Sequence, residues 1–279
     1  MDIVIQAPHL APDDIDALVA LTGAEGVEPL TRAGNDACRL HAVAADDGVA
    51  EACAAAGYDF ARIADARSLS QVRLVAMDMD STLITIECVD EIADAQGIKP
   101  QVAAITERAM RGEIDFAASL RSRVALLAGV PVSALGAIYD ERLRLSPGAE
   151  RMLAAFKSQG TRTLLVSGGF TFFTDRLRER LGLDGVIANT LDVVDGRLTG
   201  RLQGDIVDAA AKAREVRKWR AAAHADGGIV VALGDGANDL PMFADADVSI
   251  AYHAKPVVRA RATHAIDHCG LDATLNLFD

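Results

Sequence analysis

From residue 72 onward, short apolar runs alternate with longer amphipathic stretches. Val72–Met77 and the segments 161–166, 186–188, 229–233 and 248–251 are apolar and bounded by polar residues or glycine. Runs that short and apolar predict strands buried on both faces, as in a parallel sheet. Between them, 149–159, 172–181 and 209–223 read as helices. Segments 191–194 and 197–202, joined by Asp195-Gly196, predict a hairpin. The pattern is that of an α/β core with a Rossmann-like parallel sheet. The helical stretch 87–146 interrupts the first strand-to-helix crossover. It is too long for a simple connection and predicts a helical cap inserted after the first strand.

Residues 1–68 follow another pattern. Asp2–Ala7 alternates and is β-rich, and 12–21 starts with Pro and Asp before apolar residues at helical spacing. Segments 26–32 and 37–44 read as strands split by the turn signal Gly34-Asn35-Asp36. Val49–Ala56 reads as a short helix and 58–63 as a last strand. The order βαββαβ predicts an α+β, ferredoxin-like sandwich. The polar stretch 64–71 serves as linker, so the expected units are 1–68 and 72–279, the second carrying the cap at 87–146.

A chain of 279 residues favours two such units. Net charge is −12 with no basic block, which argues against nucleic acid or an anionic membrane as partner. It leaves a small anionic substrate open, because one local cluster of cations overrides the global sign. Cys38, Cys53, Cys88 and Cys269 form no CxxC pair, and reduced thiols of a cytoplasmic protein are expected. The start, Met1-Asp2-Ile3-Val4, carries an acid where a secretion signal needs a base, and no apolar run reaches transmembrane length.

Ligands of an open α/β sheet bind beyond the carboxyl ends of its strands. Three predicted strands deliver polar groups there. Asp78 and Asp80 follow Val72–Met77, Ser167 follows 161–166, and Asp235 and Asp239 follow 229–233. Phosphoryl transfer requires a nucleophile, neutralisation of the equatorial oxygens and a proton for the leaving alkoxide. Asp78 suits the nucleophile and Asp80 the acid and base. Lys212 suits the neutralising cation, and Ser167 and the Gly168 amide suit the phosphate oxygens. The acids suit a hard divalent cation, Mg²⁺ being the usual one beside phosphate, with Asp78 and Asp235 as ligands. Singly these features read as a solvated turn, a plain Ser-Gly-Gly turn and a surface lysine. An EF-hand calcium loop fails, since Leu83 and Val89 stand where glycine and the bidentate acid are needed.

On the cap, Phe116, Leu120, Val124 and Leu127 fall on one helical face that Arg123 shares, while Arg121 points nearly opposite. Two readings of Arg123 stay open: a guanidinium awaiting an anion, and a side chain snorkelling at the edge of the stripe. With Glu87, just past the nucleophile, it would suit a zwitterion, the acid for an ammonium and the arginine for a carboxylate.

The run Asp78-Met79-Asp80-Ser81-Thr82, with Ser167, Lys212 and 234–239, resembles the motif set of the haloacid dehalogenase-like superfamily over about residues 72–270. The resemblance implies a Mg²⁺ site of Asp78, the Asp80 carbonyl and Asp235, with Asp239 behind it. Asp80 favours a phosphatase over a dehalogenase. Residues 78–91, Met110, 116–124, the segment VSGGF, 208–213, GDGAND and AKP are similar to the phosphoserine phosphatase family. That likeness implies hydrolysis of L-3-phosphoserine, the last step of serine biosynthesis, through an aspartyl-phosphate. It also implies that Glu87 and Arg123 bind the amino and carboxylate groups, that Met110 and Phe116 lie near the substrate, and that Asn238 lies near its phosphate. The runner-up is another small amino-alcohol phosphate, and a non-catalytic amino-acid sensor is the rival of a different class. Residues 1–68 resemble an ACT-like domain by element order. L-serine as effector or product inhibitor, or a homodimer built through this unit, is the corresponding expectation.

Overall fold

The computed structural model describes residues 1–225 and 227–279. Its first sheet is built from β1 (Asp2–Ala7), α1 (Pro12–Thr22), β2 (Gly26–Leu30), β3 (Asp36–His41), α2 (Val49–Ala56) and β4 (Asp59–Ile63). The strands lie in the order β2-β3-β1-β4, every pair antiparallel, which is the ferredoxin-like arrangement. Alternation sorts its side chains. Ile3, Ile5, Cys38 and Leu40 pack under α1 and α2, while Val4, Ala37, Ala61 and Ile63 join the main core.

The second sheet begins with β5 (Val72–Met77). The chain then leaves it for four cap helices: α3 (Cys88–Ala95), α4 (Lys99–Met110), α5 (Phe116–Ala125) and α6 (Val132–Ala137). It returns through α7 (Ala149–Ser158), β6 (Arg162–Phe170), α8 (Thr171–Leu181), β7 (Gly185–Val194), β8 (Arg197–Gln203) and α9 (Ala209–Ala225). It ends with β9 (Ile229–Gly234), α10 (Leu240–Phe243), β10 (Val248–Tyr252), α11 (Pro256–Arg259), β11 (His264–Ile266) and a 3₁₀ segment, Leu271–Leu277. The strand order is β11-β10-β9-β5-β6-β7-β8, parallel except for the β7–β8 pair. Strand β5, which precedes the candidate nucleophile, is central and, from Leu74 onward, apolar on both faces. Val75 and Met77 face one core cluster, and Leu74 and Ala76 the other. Each fully buried aliphatic side chain there contributes about 1.5–3 kcal/mol.

Two features differ from the sequence reading. Segments 186–188 and 191–194 are one strand, β7, which runs from the parallel sheet straight into the hairpin. Polar Asn189 and Thr190 interrupt the apolar pattern where the strand changes partners. Edge strand β11 has only three residues, too few for a periodic signal.

The cap is tied at two places. Where the chain passes into and out of it, Ile84 bridges Leu145, the Thr85 amide donates to the Arg144 carbonyl at 3.0 Å, and that of Ser146 to Leu83 at 3.0 Å. Farther out, Pro131 bridges Arg197 of β8, and the Gly129 amide donates to the Leu198 carbonyl at 2.7 Å. At Gly200 (φ +81°) a Cβ would meet Ala128 Cβ at 3.0 Å and the Ala125 carbonyl at 3.1 Å, so glycine permits this approach of α5 to β8.

The first sheet is locked to the chain's last segment. Asn276 donates to the Gln6 side chain at 3.0 Å, and Arg39 pairs with Asp279. The buried Asp59 carboxylate accepts the backbone amides of Asp267, His268 and Cys269 at 2.7–3.1 Å. All four cysteines are free and buried, and no helix among the described residues is long and apolar enough to cross a membrane. Asp59→Ala strands those amides and should lower stability by about 3 kcal/mol. Urea unfolding reads this as a lower midpoint at unchanged slope. An unaltered midpoint would show that water replaces the carboxylate at no cost.

Candidate active site

The backbone amide of Asp78 donates to the Leu233 carbonyl at 3.0 Å, the last rung joining β5 to β9. The chain then closes one π-type turn, Met79–Leu83, in which the Ile84 amide reaches back to the Met79 carbonyl at 3.0 Å. Ser81 stands in the left-handed region at φ +54°, a conformation that costs a non-glycine residue about 1–2 kcal/mol. This turn brings both Asp78 and Asp80 to the rim of the sheet.

Asp78 Oδ1 accepts its neighbour's amide, Met79 N–H, at 2.7 Å. Its Oδ2 lies 2.7 Å from Lys212 Nζ and 3.4 Å from Asn238 Nδ2. Lys212, from the first turn of α9, is fully buried and also pairs with Asp239 Oδ1 at 2.9 Å. Asp239 Oδ2 takes the Gly236 amide at 3.1 Å. Asp235 Oδ1 accepts the Thr82 hydroxyl at 3.2 Å, and Asp80 Oδ1 accepts the Cys88 amide at 3.1 Å. Ser167 is fully buried, and its Oγ accepts the Gly169 amide at 2.9 Å. A Cβ on Gly169 would lie 2.8 Å from Asp80 Oδ2, so a larger residue here would displace that acid.

Five acids therefore surround one buried lysine and one arginine. Burial, then the charges of Glu87 and Asp78, push Asp80 up to about 8. Burial and Asp78 push Asp239 to about 7 and Asp235 to about 6. Burial disfavours the Lys212 ammonium, yet Asp78 and Asp239 more than offset this and hold it above the ordinary lysine range. Asp78, Asp235 and Asp239 each offer a carboxylate oxygen, all within 4.8 Å of one another. This all-oxygen, net-negative donor set fits a hard divalent cation.

The cap closes over this floor. Asp78, Asp80, Gly168, Asp235 and Asn238 share a cavity of about 210 Å³ with Glu87, Val89, Phe116, Leu120 and Arg123. The Phe116 ring approaches to 3.1 Å of where a Gly168 Cβ would stand. Ser81 Oγ donates to Glu87 Oε1 at 2.7 Å. Arg123 Nε is buried without a hydrogen-bond partner among the described residues. Burial lowers its pKa, while Asp90, Glu87 and Asp80 act in the other direction. Arg123 thus lines the acidic cavity with its Nε buried and unpartnered.

Met110 stands apart from this group. It ends α4, is 69% exposed, and lines no part of the cavity. Ser81, Thr82, Cys88 and Asn189 touch the site without having been singled out from the sequence. Ser81 and Thr82 lay inside the acidic motif, whereas the pattern held no signal for Cys88 or Asn189.

The chain matches the family model of haloacid dehalogenase-like hydrolases over residues 75–244, and a domain of unknown function over residues 3–49. It belongs to the haloacid dehalogenase-like hydrolases. A phosphoserine phosphatase of Polaromonas sp. is 55% identical over 214 residues, 75% of this chain and 91% of that one. A probable phosphoserine phosphatase from Vibrio cholerae, unliganded, superposes with a TM-score of 0.83 at 35% identity, covering 99% of this chain and 85% of that one. A phospho-aspartyl intermediate analogue of phosphoserine phosphatase gives 0.67 at 37% identity, covering 75% and 100%. Within its class the chain belongs to the phosphoserine phosphatase family.

The raised acids set a pH dependence. Without a cation, folded Asp80, Asp239 and Asp235 hold protons that the unfolded chain releases near 3.8. Their contribution is whole below that pH and is lost as pH rises toward 8. In chelator, the melting temperature should fall from pH 5 to 8, less steeply in Asp80→Asn. A divalent cation should raise it more at pH 8 than at pH 5. A flat or rising profile in chelated wild type would contradict this electrostatic picture.

Proposed function

We propose that this protein hydrolyses O-phospho-L-serine to L-serine and inorganic phosphate. Asp78 Oδ attacks phosphorus as the ester bond to the serine oxygen breaks, leaving an aspartyl-phosphate. Asp80, protonated near neutral pH because it is buried among like charges, gives its proton to the departing alkoxide. The resulting carboxylate then takes a proton from water, whose oxygen attacks phosphorus and releases Asp78 and phosphate. Lys212 neutralises Asp78 and the equatorial oxygens, while Ser167, the Gly168 amide and Asn238 hold the phosphoryl group. Asp78, Asp235 and the Asp80 carbonyl would hold Mg²⁺, with Asp239 behind them. When bound, its charge stabilises the oxygens of the transferred group.

The observation that carries this reading is one acid and one unpaired base, Glu87 and Arg123, on the cap side of the cavity that has Asp78 on its floor. An ammonium and a carboxylate fit those two groups, and a cavity of about 210 Å³ suits a small substrate. L-serine, as product, keeps both contacts and acts as a competitive inhibitor there. Phe116 presses on Gly168 and excludes water while the first step proceeds.

A phosphomonoester panel assayed with Mg²⁺ and with chelator tests this. Phosphoserine should lead the panel, and chelator should abolish turnover. Asp78→Asn should lose about a thousandfold or more in kcat, and near-normal turnover would defeat the covalent route. Arg123→Ala should lose about 10- to 100-fold in kcat/KM for phosphoserine. Phosphoethanolamine, which lacks the carboxylate, should change by no more than about threefold. An equal loss on both substrates would remove Arg123 from carboxylate recognition.

A further inference from the structure

We propose that Asn189 is a positioning residue that aims the Ser167 hydroxyl at the phosphoryl group and couples that arm of the site to the arm carrying Lys212. The proposal rests on the reading of the cavity as a phosphoserine site. Strands β6 and β7 pair regularly from Leu164↔Gly185 to Val166↔Ile187, and the next pair is Phe170↔Asn189. Four steps on β6 therefore oppose two on β7, and Ser167-Gly168-Gly169 bulges out of the ladder. The backbone groups of such a bulge lose their strand partners and need others.

Asn189 supplies one. It is 2% exposed, and its Nδ2 donates to the Gly168 carbonyl at 2.8 Å. A trans peptide points its carbonyl and the following N–H in opposite directions. Fixing the Gly168 carbonyl toward β7 therefore turns the Gly169 N–H the other way, onto Ser167 Oγ at 2.9 Å. A hydroxyl has one proton and two lone pairs. With a lone pair occupied by Gly169, the Ser167 proton is free to donate to a phosphoryl oxygen.

The other end of the same amide reaches the second arm. Asn189 Oδ1 accepts the Val207 amide at 2.8 Å. Val207 precedes Asp208, whose Oδ1 caps α9 by accepting the Ala211 amide at 2.8 Å and whose carbonyl accepts the Lys212 amide at 2.9 Å. One rigid, planar group thus sets the spacing between the loop that grips phosphate and the helix that presents Lys212 to Asp78. Neither end touches the cap side, where Glu87 and Arg123 hold the serine moiety.

That separation defines the test. Asn189→Asp is isosteric and keeps the acceptor for Val207, but turns a carboxylate oxygen on the Gly168 carbonyl. Asn189→Ser removes both bonds. Steady-state assays with phosphoserine and Mg²⁺ give kcat and the inhibition constants of inorganic phosphate and L-serine, with melting temperature alongside. In both variants kcat should drop at least tenfold and the phosphate constant should rise about tenfold, while the L-serine constant stays within about twofold. Thr163→Val serves as control, since it cuts the Thr163–Asp184 bond (2.9 Å) at the far end of the same strand pair. It should lower the melting temperature and leave the phosphate constant unmoved. An unchanged phosphate constant in Asn189→Asp, equal shifts in both constants, or loss of folding in both variants would each overturn the proposal. Absence of wild-type turnover on phosphoserine would instead refute the substrate reading.

Discussion

Lys212 bridges Asp78 and Asp239 with no access to solvent, and the rest of the site is organised around that ion pair. Losing one partner of such a buried pair costs about 3–5 kcal/mol, because a charge is left uncompensated. The arrangement holds only if α9 delivers its first turn to the ends of β5 and β9 at a fixed height. The central position of β5 and its two apolar faces meet that demand. One ammonium still does not balance the acids around it. Burial first, and then this excess of negative charge, raises the pKa of Asp80, and the same excess suits a hard cation.

Much of this was legible in the chain because each floor residue stands just past an apolar run. A strand followed at once by Asp78 or Asp235 has a definite end, Ser167 falls where β6 bulges after its apolar run, and parallel strands share a rim. Helical periodicity also placed Arg123 on the inner face of α5. It could not show that Nε lacks a partner, since that depends on where Asp80 and Glu87 come to rest across the cavity. Met110 shows the converse. A likeness in sequence drew it toward the substrate, but its place at the end of α4 leaves it in solvent.

What stayed hidden was register and backbone torsion. The Ser167-Gly168-Gly169 bulge arises from a mismatch in pairing with β7, which no single segment records. The left-handed turn at Ser81 falls on a residue with no local preference for it. Asn189 interrupts an apolar strand, so alone it reads as a break in β7. Only the assembled sheet reveals that the break faces the bulge.

The cap's bonds to β8 give it a second attachment besides the paired strands at its base. A lid on a single hinge swings freely about that line. A lid also stitched to β8 (Arg197–Gln203) can turn about that line only if β8 moves with it or those bonds break. Strand β8 is the last strand of its sheet and is paired there with β7 alone, so it stands beside the cap as an outrigger. The roof of the cavity is thereby braced by a ribbon that lines no part of it.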